Sequence, residues 1–528
     1  MDATSIEFSA TAPFDSIALS RTIIGSVTPT GNGAASGTLY IYVEIPAGSF
    51  FTVPEVQVDS ATSGHLVVTV PTPQVMGSGT FQSSFRVRAC LNSSSCSGNS
   101  DIRGSPQTIN VRYTVGDVVD SDTVMPRAVP AGAAGTTILR GHGLTNTTSV
   151  RFGATPASTV TYVSATELRV AFPALPAGSY PVSLNASATP FTGTLVAVAI
   201  PNYPVAWIPY PFTPPIFPQG LVYDAERRAF ALSLGANDTL AILRYEYVGG
   251  AWVPAGRVDN QFASQIRLSH DGSRLVALKR TLYQPSYLLD LDPVTLATLR
   301  TTTVDSNAWS FVLSNDGNFV FGTKFPGSGY LPPIMFGATN RTPITVNRIQ
   351  LDTPAAIASG DGSKVLVTGQ YGNVGMYDSS AQTWTSVQST PLFGGWNYFD
   401  QGSANLNGTR FASQGTVVDQ NLQRIGWAGV QTTAEVMSPD GARLYVYDQG
   451  DLNHGPQPVG LLRTFSANVT MPGTDSQLVE IGTPIALANN PNGFYTSGDS
   501  VQMVVTPDGQ TVIICGIVGC ALQPTPPP

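Results

Sequence analysis

Short runs in which apolar and polar residues alternate set the pattern of the chain. Thr38-Leu39-Tyr40-Ile41-Tyr42-Val43 and His65-Leu66-Val67-Val68-Thr69-Val70 are two of them, and Gly, Pro and Ser clusters separate such runs through residues 1–116. A period of two turns one face of each run to a core and the other to water, which predicts a small antiparallel β-sandwich. From about residue 203 the pattern becomes a repeat. Its unit is an apolar strand, a polar turn with Asp-Gly, and a second apolar strand, as in Ile266-Arg267-Leu268-Ser269-His270-Asp271-Gly272-Ser273-Arg274-Leu275-Val276. The unit returns at Val312–Gly317, Ile357–Gly362, Val436–Gly441 and Val505–Gly509, with degenerate copies at Leu406–Thr409 and Val222–Ala225. Asp-Gly suits a tight hairpin turn, because glycine accepts positive φ and the aspartate side chain bonds its own backbone. Most copies lie about 45 residues apart, the length of a four-stranded propeller blade. Seven copies predict seven blades, although the interval from 407 to 440 is short and that from 440 to 508 long, which leaves the count open by one.

Two consequences follow from blade geometry. After the last turn only Thr511–Cys515 and Cys520–Gln523 can form strands, so the final blade lacks its outermost one, and Tyr203–Tyr210 is expected to supply it and close the ring. In a blade that runs up, down, up and down, every Asp-Gly turn falls on one face. The long insertions Thr323–Pro333, Gln388–Gly402, Asp448–Val459 and Thr483–Ser500 fall on the other. These insertions carry Tyr330, Trp396, Tyr398, His454, Phe494 and Tyr495, and aromatic rings on loops contribute large contact area with few rotors to freeze. They are the candidate ligand-binding residues, with folding back onto the protein as the competing use of the same rings. The turn face, paved with uniform tight turns, is expected to recognise little. The tail Pro524–Pro528 reads as a linker or frayed end.

The segments also resemble known families. Phe85-Arg86-Val87-Arg88-Ala89-Cys90, Cys96, Gly104-Ser105-Pro106 and Val111–Val115 are similar to the closing hairpin of BACON-like bacterial Ig-type modules. Thr137–Leu144, Ser149–Gly153, Leu168-Arg169-Val170 with Pro173, and Ala177–Val182 resemble an IPT/TIG domain, an Ig-like sandwich. The Asp-Gly repeats resemble YVTN-type propeller repeats. These resemblances imply an all-β fold of two Ig-like β-sandwich modules followed by a β-propeller. The expected order is a sandwich over 1–116, a linker over 117–124, an IPT/TIG domain over 125–199, a propeller over 203–523 and a proline-rich tail over 524–528. Such modules serve as spacers, adhesive arms or interaction surfaces, and the fold alone does not choose among them.

Composition narrows the function. Charged residues are 11% and hydrophobic ones 42% of the 528 residues, so neutral hydroxyl and amide groups keep a packed, loop-rich protein in solution. A net charge of −8 without any Lys/Arg cluster disfavours nucleic acid and anionic membrane surfaces, and no apolar run is long enough to insert in a membrane. All four cysteines fall into two local pairs, Cys90/Cys96 and Cys515/Cys520, which predicts two short-loop disulfides and an extracellular, cell-surface or periplasmic location. Met1-Asp2-Ala3-Thr4 has no signal-peptide character, as expected if such a peptide has been replaced by an initiator methionine. A zinc site of the four thiolates is the alternative, without C-x2-C spacing to support it.

The four histidines are scattered, and neither H-E-x-x-H, G-x-S-x-G, Walker nor Rossmann patterns occur. Asp271, Asp316, Asp361, Asp440 and Asp508 could form a carboxylate ring, but the adjacent glycines assign them to turns; Asp290 with Asp292, and Asp117 with Asp120 and Asp122, are weak calcium candidates. No catalytic residue, metal or cofactor is assigned. The expected function is binding or adhesion to a glycan or protein partner at the insertion face. The alternative is a propeller enzyme of lactonase or quinoprotein type with an axial metal or cofactor.

Overall fold

The computed structural model describes residues 4–526 apart from 13–18, 29–36, 54–55, 72–78, 93–95, 97–100, 118–122, 142–143, 147, 165–166, 185–190, 213–215, 237–238, 260–262, 280–285, 305–307, 317, 324–333, 337–342, 346–354, 369–373, 382, 389–401, 431, 433, 449–459, 472–475 and 488–500. All its regular elements are β-strands. The chain forms two compact units, one built on residues 1–119 and the other on residues 120–337 and 342–528.

The first unit is a sandwich of a four-stranded sheet, in the order Ser5–Ala12, Gln107–Asp117, Gly79–Leu91 and Leu39–Glu44, and a three-stranded sheet of Leu19–Ser26, Ser63–Val70 and Gln57–Ser60. The alternation read from the sequence is literal in Ser63–Val70, where Gly64, Leu66, Val68 and Val70 are buried and the residues between them are not. Phe8, Phe51, Phe85 and Tyr113 fill the space between the sheets.

The second unit begins with another sandwich. Thr123–Met125, Gly135–Arg140, Glu167–Phe172 and Thr159–Ser164 form one sheet, and Ala128–Pro130, Thr194–Val198, Gly178–Leu184, Val150–Phe152 and Thr155–Pro156 form the other. Phe152 and Phe172 meet edge to face in its core, with ring centroids 5.8 Å apart.

Seven sheets follow, six of them four-stranded and the sixth with Ile485–Ala486 as a fifth strand, and their first strands are Phe217–Asp224, Gln265–Leu268, Ala308–Leu313, Ala355–Ala358, Ser403–Ala404, Ala434–Met437 and Gln502–Val505. Each first strand lies beside that of the next sheet, and the seventh returns to the first. The ring is therefore a closed, seven-bladed β-propeller. Both faces of a blade pack against neighbouring blades, so second strands such as Leu275–Lys279, Lys364–Thr368 and Thr511–Cys515 are buried almost throughout instead of alternating. The outermost strand Thr298–Val304 of the second blade, with one face in water, is threonine-rich and mostly exposed.

The fourth strand of the seventh blade is Ala206–Pro209, antiparallel to Gly519–Pro524 with Ala206 opposite Leu522 and Pro209 opposite Gly519. The ring thus closes with a strand from before the first blade. The tail does not fray at once: Thr525 and Pro526 are hydrogen-bonded to the ring.

Cys90–Cys96 and Cys515–Cys520 are both disulfides, and no free cysteine remains. Loops this short restrict the unfolded chain modestly, so replacing either pair with serine is expected to cost about 2 kcal/mol. Thiol titration of the denatured, unreduced protein should find no reactive thiol, and a denaturant midpoint unmoved by the serine pairs would contradict the estimate.

Candidate functional site

The site is built on the turn between first and second strands of each blade. In the second blade Ser269 Oγ donates to Asp271 Oδ1 at 2.6 Å, the Ser273 amide donates to the same oxygen at 3.0 Å, and the Arg274 amide donates to Ser269 Oγ at 2.9 Å. The fourth, sixth and seventh blades repeat this arrangement with Ser359/Asp361, Ser438/Asp440 and Thr506/Asp508. In the third blade Ser314 and the Asn318 amide reach Asp316, while Asn405 and Asn407 substitute in the fifth. The glycine that follows has φ between 64° and 74° at positions 272, 362, 408, 441 and 509, a region costly for any residue with a Cβ. Burial alone would raise the Asp271 carboxyl, but the hydrogen bonds from Ser269 and Ser273 and the nearby Arg274 hold it below the ordinary range. These aspartates are committed to their own turns. Asp292 is likewise an acceptor for the Val294 and Thr295 amides.

The residue between the Ser, Thr or Asn and the Asp or Asn is free of turn duties, and it differs in every blade but two. His270, Gly360, Leu406, Pro439 and Pro507 occupy it and line, with Leu221, Val222, Val436 and Val504 of the inner strands, a cavity of about 380 Å³. Pro126–Pro130 of the second sandwich complete its wall. Among the described residues, three hydrogen bonds hold the second sandwich there. Arg127 Nη2 donates to Glu226 Oε1 at 3.1 Å, the Arg127 amide to the His270 carbonyl at 3.3 Å, and Arg140 Nη2 to Asn315 Oδ1 at 3.1 Å. Arg140 is itself paired with the buried Glu167 at 2.6 Å. Asn315 is fixed from the other side, since Ser379 Oγ donates to its Oδ1 at 2.6 Å and its own Nδ2 donates to the Asp361 carbonyl at 3.1 Å.

The expectation that this face recognises little is thus overturned: it recognises the chain's own second sandwich. Uniform turns made the face look featureless, yet a variable position inside the turn is the one that lines the cavity against the second sandwich. His270 is likewise more than a surface residue, with Nε2 2.9 Å from the Leu313 carbonyl and Nδ1 3.2 Å from the Gly360 carbonyl. A Cβ on Gly362 would lie 2.4 Å from that Nε2, so the glycine is required twice, for its φ and for the ring beside it.

Tyr330, Trp396, Tyr398, His454, Phe494 and Tyr495 all lie outside the described residues, as do Asp120 and Asp122. What the structure does place are the strand ends that flank the insertions: Thr323 and Ile334, Asp448 and Leu461 end second strands and begin third ones, at the end of the blade opposite the turns. Among the described residues, the one group of His, Cys, Asp or Glu close enough to share an ion is Cys90, Cys96 and Asp101, whose sulfurs are already bonded to each other.

One carboxyl that no sequence pattern singled out is Glu435, on the first strand of the sixth blade. Its Oε2 accepts the Gly415 amide at 2.6 Å, while Oε1 is buried with no hydrogen-bond partner among the described residues. Burial pushes it up to about 8, against the opposing pull of the Gly415 and Gln414 amides.

Residues 122–197 match the IPT/TIG domain model. The second sandwich is an IPT/TIG domain. No curated protein matches the chain. Among solved structures, a chain from "Crystal Structure of Mitotic Checkpoint Complex" aligns with 14% identity and a TM-score of 0.43, over 65% of this chain and 99% of that one. A likeness so distant says nothing of what this chain binds.

Proposed function

We propose that the chain is an exported, non-enzymatic binding protein whose propeller presents the face opposite the Asp-Gly turns to a glycan or protein partner. The observation that carries this reading is the occupancy of the turn face. The TIG domain sits on it through Arg127, Arg140, Glu226 and Asn315, and Thr525–Pro526 cross it at the boundary of the last two blades. Both chain segments that enter and leave the ring are therefore gathered on one side, and the other is where the long insertions begin and end. Two disulfides with no free cysteine support an oxidising compartment. A propeller enzyme would instead need carboxylates or amides of several blades converging on the axis, whereas the turn aspartates are held within their own turns.

The test is a screen of glycans and candidate proteins against the full chain, followed by two variants. Trp396→Ala and Tyr398→Ala are expected to weaken binding of the partner found by at least tenfold, with the melting temperature unchanged. Variants that melt early yet bind normally would assign these rings to the core and overturn the proposed face. Stoichiometric metal in protein purified from its native host, lost together with binding, would favour the enzyme reading.

A further inference from the structure

The strand Gly519–Pro524 ends on the turn face, and the two residues after it lie in a built groove. The Thr525 amide donates to the Gln510 carbonyl at 2.8 Å, Thr525 Oγ1 donates to the Gly509 carbonyl at 2.8 Å, and Arg443 Nη1 donates to the Pro526 carbonyl at 2.7 Å. Tyr445 lines the same groove. Gly509 and Gln510 belong to the turn of the seventh blade, Arg443 and Tyr445 to the second strand of the sixth, so the dipeptide bridges two blades. Around it lies a cleft of about 240 Å³, flanked by Pro439 and Pro507.

Each contact is made to something every Thr-Pro step possesses: an amide and a hydroxyl on the first residue, and a carbonyl on the second. Nothing in the groove asks proline for the N–H it lacks. Its fixed φ also lowers the entropy lost when an extended segment is immobilised, which is why aromatic-lined grooves recur as sites for proline-containing peptides. The site is therefore complementary to a short sequence, and the chain's own tail is its resident example.

We propose that the cleft between the sixth and seventh blades is a recognition groove for extended Thr-Pro-containing peptide segments of other proteins, occupied in this chain by its own Thr525–Pro526. A segment of that chemistry enters by displacing the tail, so the tail sets the threshold for binding. The groove is on the turn face and is independent of the partner surface proposed above.

The test uses the full chain labelled with a fluorophore through Pro528→Cys and titrated with the peptide Gln-Pro-Thr-Pro-Pro-Pro. Displacement is expected to lower the anisotropy of the tail label by at least half, and the peptide with Val in place of Thr should be at least tenfold less potent. In a second arm, a chain ending at Pro524 should bind labelled peptide at least tenfold tighter than the intact chain does, and Arg443→Ala in the shortened chain should abolish that binding. An unresponsive label at millimolar peptide overturns the proposal, as does equal potency of the Val peptide. If the shortened chain fails to fold, the intact-chain titration decides by itself.

Discussion

Replacing residues 203–210 with a Gly/Ser stretch of equal length is expected to destroy cooperative melting of the propeller and leave it prone to aggregate. The segment serves two blades at once. Its backbone, through Ala206–Pro209, gives the seventh blade its fourth strand. Trp207 packs on the side of the sixth and seventh blades, and other side chains face the first: Tyr203 donates or accepts a hydrogen bond with Tyr223 at 2.7 Å, and its ring centroid lies 4.7 Å from that of Tyr247 and 4.9 Å from that of Trp252. Ile208 and Tyr210 are buried in the same core cluster, with Leu221, Phe230 and Leu243. Burying three such side chains stabilises by roughly 5–9 kcal/mol in total, which is comparable with the whole stability of a domain. The milder variant Tyr203→Ala should cost about 3–5 kcal/mol and lower the melting temperature by roughly 10 °C. Calorimetry together with size-exclusion chromatography measures both. A replaced segment that melts as the parent does, as a monomer, would show that the ring does not depend on this closure.

That closure was legible because it is a counting argument: a blade with three strands and a propeller region that opens with one apolar run left over leave a single economical pairing. The blades were legible for a different reason. Asp-Gly turns are local chemistry, in which the side chain of Asp271 or Asp440 bonds amides two residues away, and local chemistry repeats visibly. The disulfides were legible from spacing alone. What could not be read was anything decided at long range. The contact of Arg140 with Asn315 spans 175 residues, and neither residue type signals it. The signal that did exist was the variation at one repeat position, His270, Asn315, Gly360, Leu406, Pro439 and Pro507, against invariant turn chemistry on either side. Variable positions amid conserved local geometry are where a repeat differentiates its blades. The docking of the tail was hidden because proline reads as an absence of donors, while the groove uses its carbonyl as an acceptor. The candidate rings at Trp396 and Tyr398 rest on topology, through the strand ends that flank such insertions.

Glu435 was illegible for the plainest reason, since a lone glutamate in a strand is usually on the wet face, and it carries the second large prediction. Folded, the carboxyl ionises only near pH 8; its ordinary value is 4.5. Between those values the folded protein holds a proton that the unfolded chain has released, so raising the pH favours unfolding by about 1.4 kcal/mol per unit. The loss begins near pH 4.5, grows through neutrality and levels off above about 8. Asp378 has the opposite sign. Burial works to raise it, but the hydrogen bonds of Lys364 and Ser380 outweigh that and hold it at about 2, so the stability it contributes is complete above 3.8 and is lost only as the pH falls toward 2. The two windows do not overlap. Glu435→Gln keeps an acceptor for the Gly415 amide and removes the titration. The variant should match the parent near pH 4.5 and pull ahead as the pH rises, the gap in melting temperature widening by roughly 3 °C per unit until about pH 8. Groups common to both proteins cancel in the difference. Melting curves of the pair from pH 4.5 to 9 provide the measurement, and a gap that stays constant across that range would mean Glu435 is ionised in the folded ring after all.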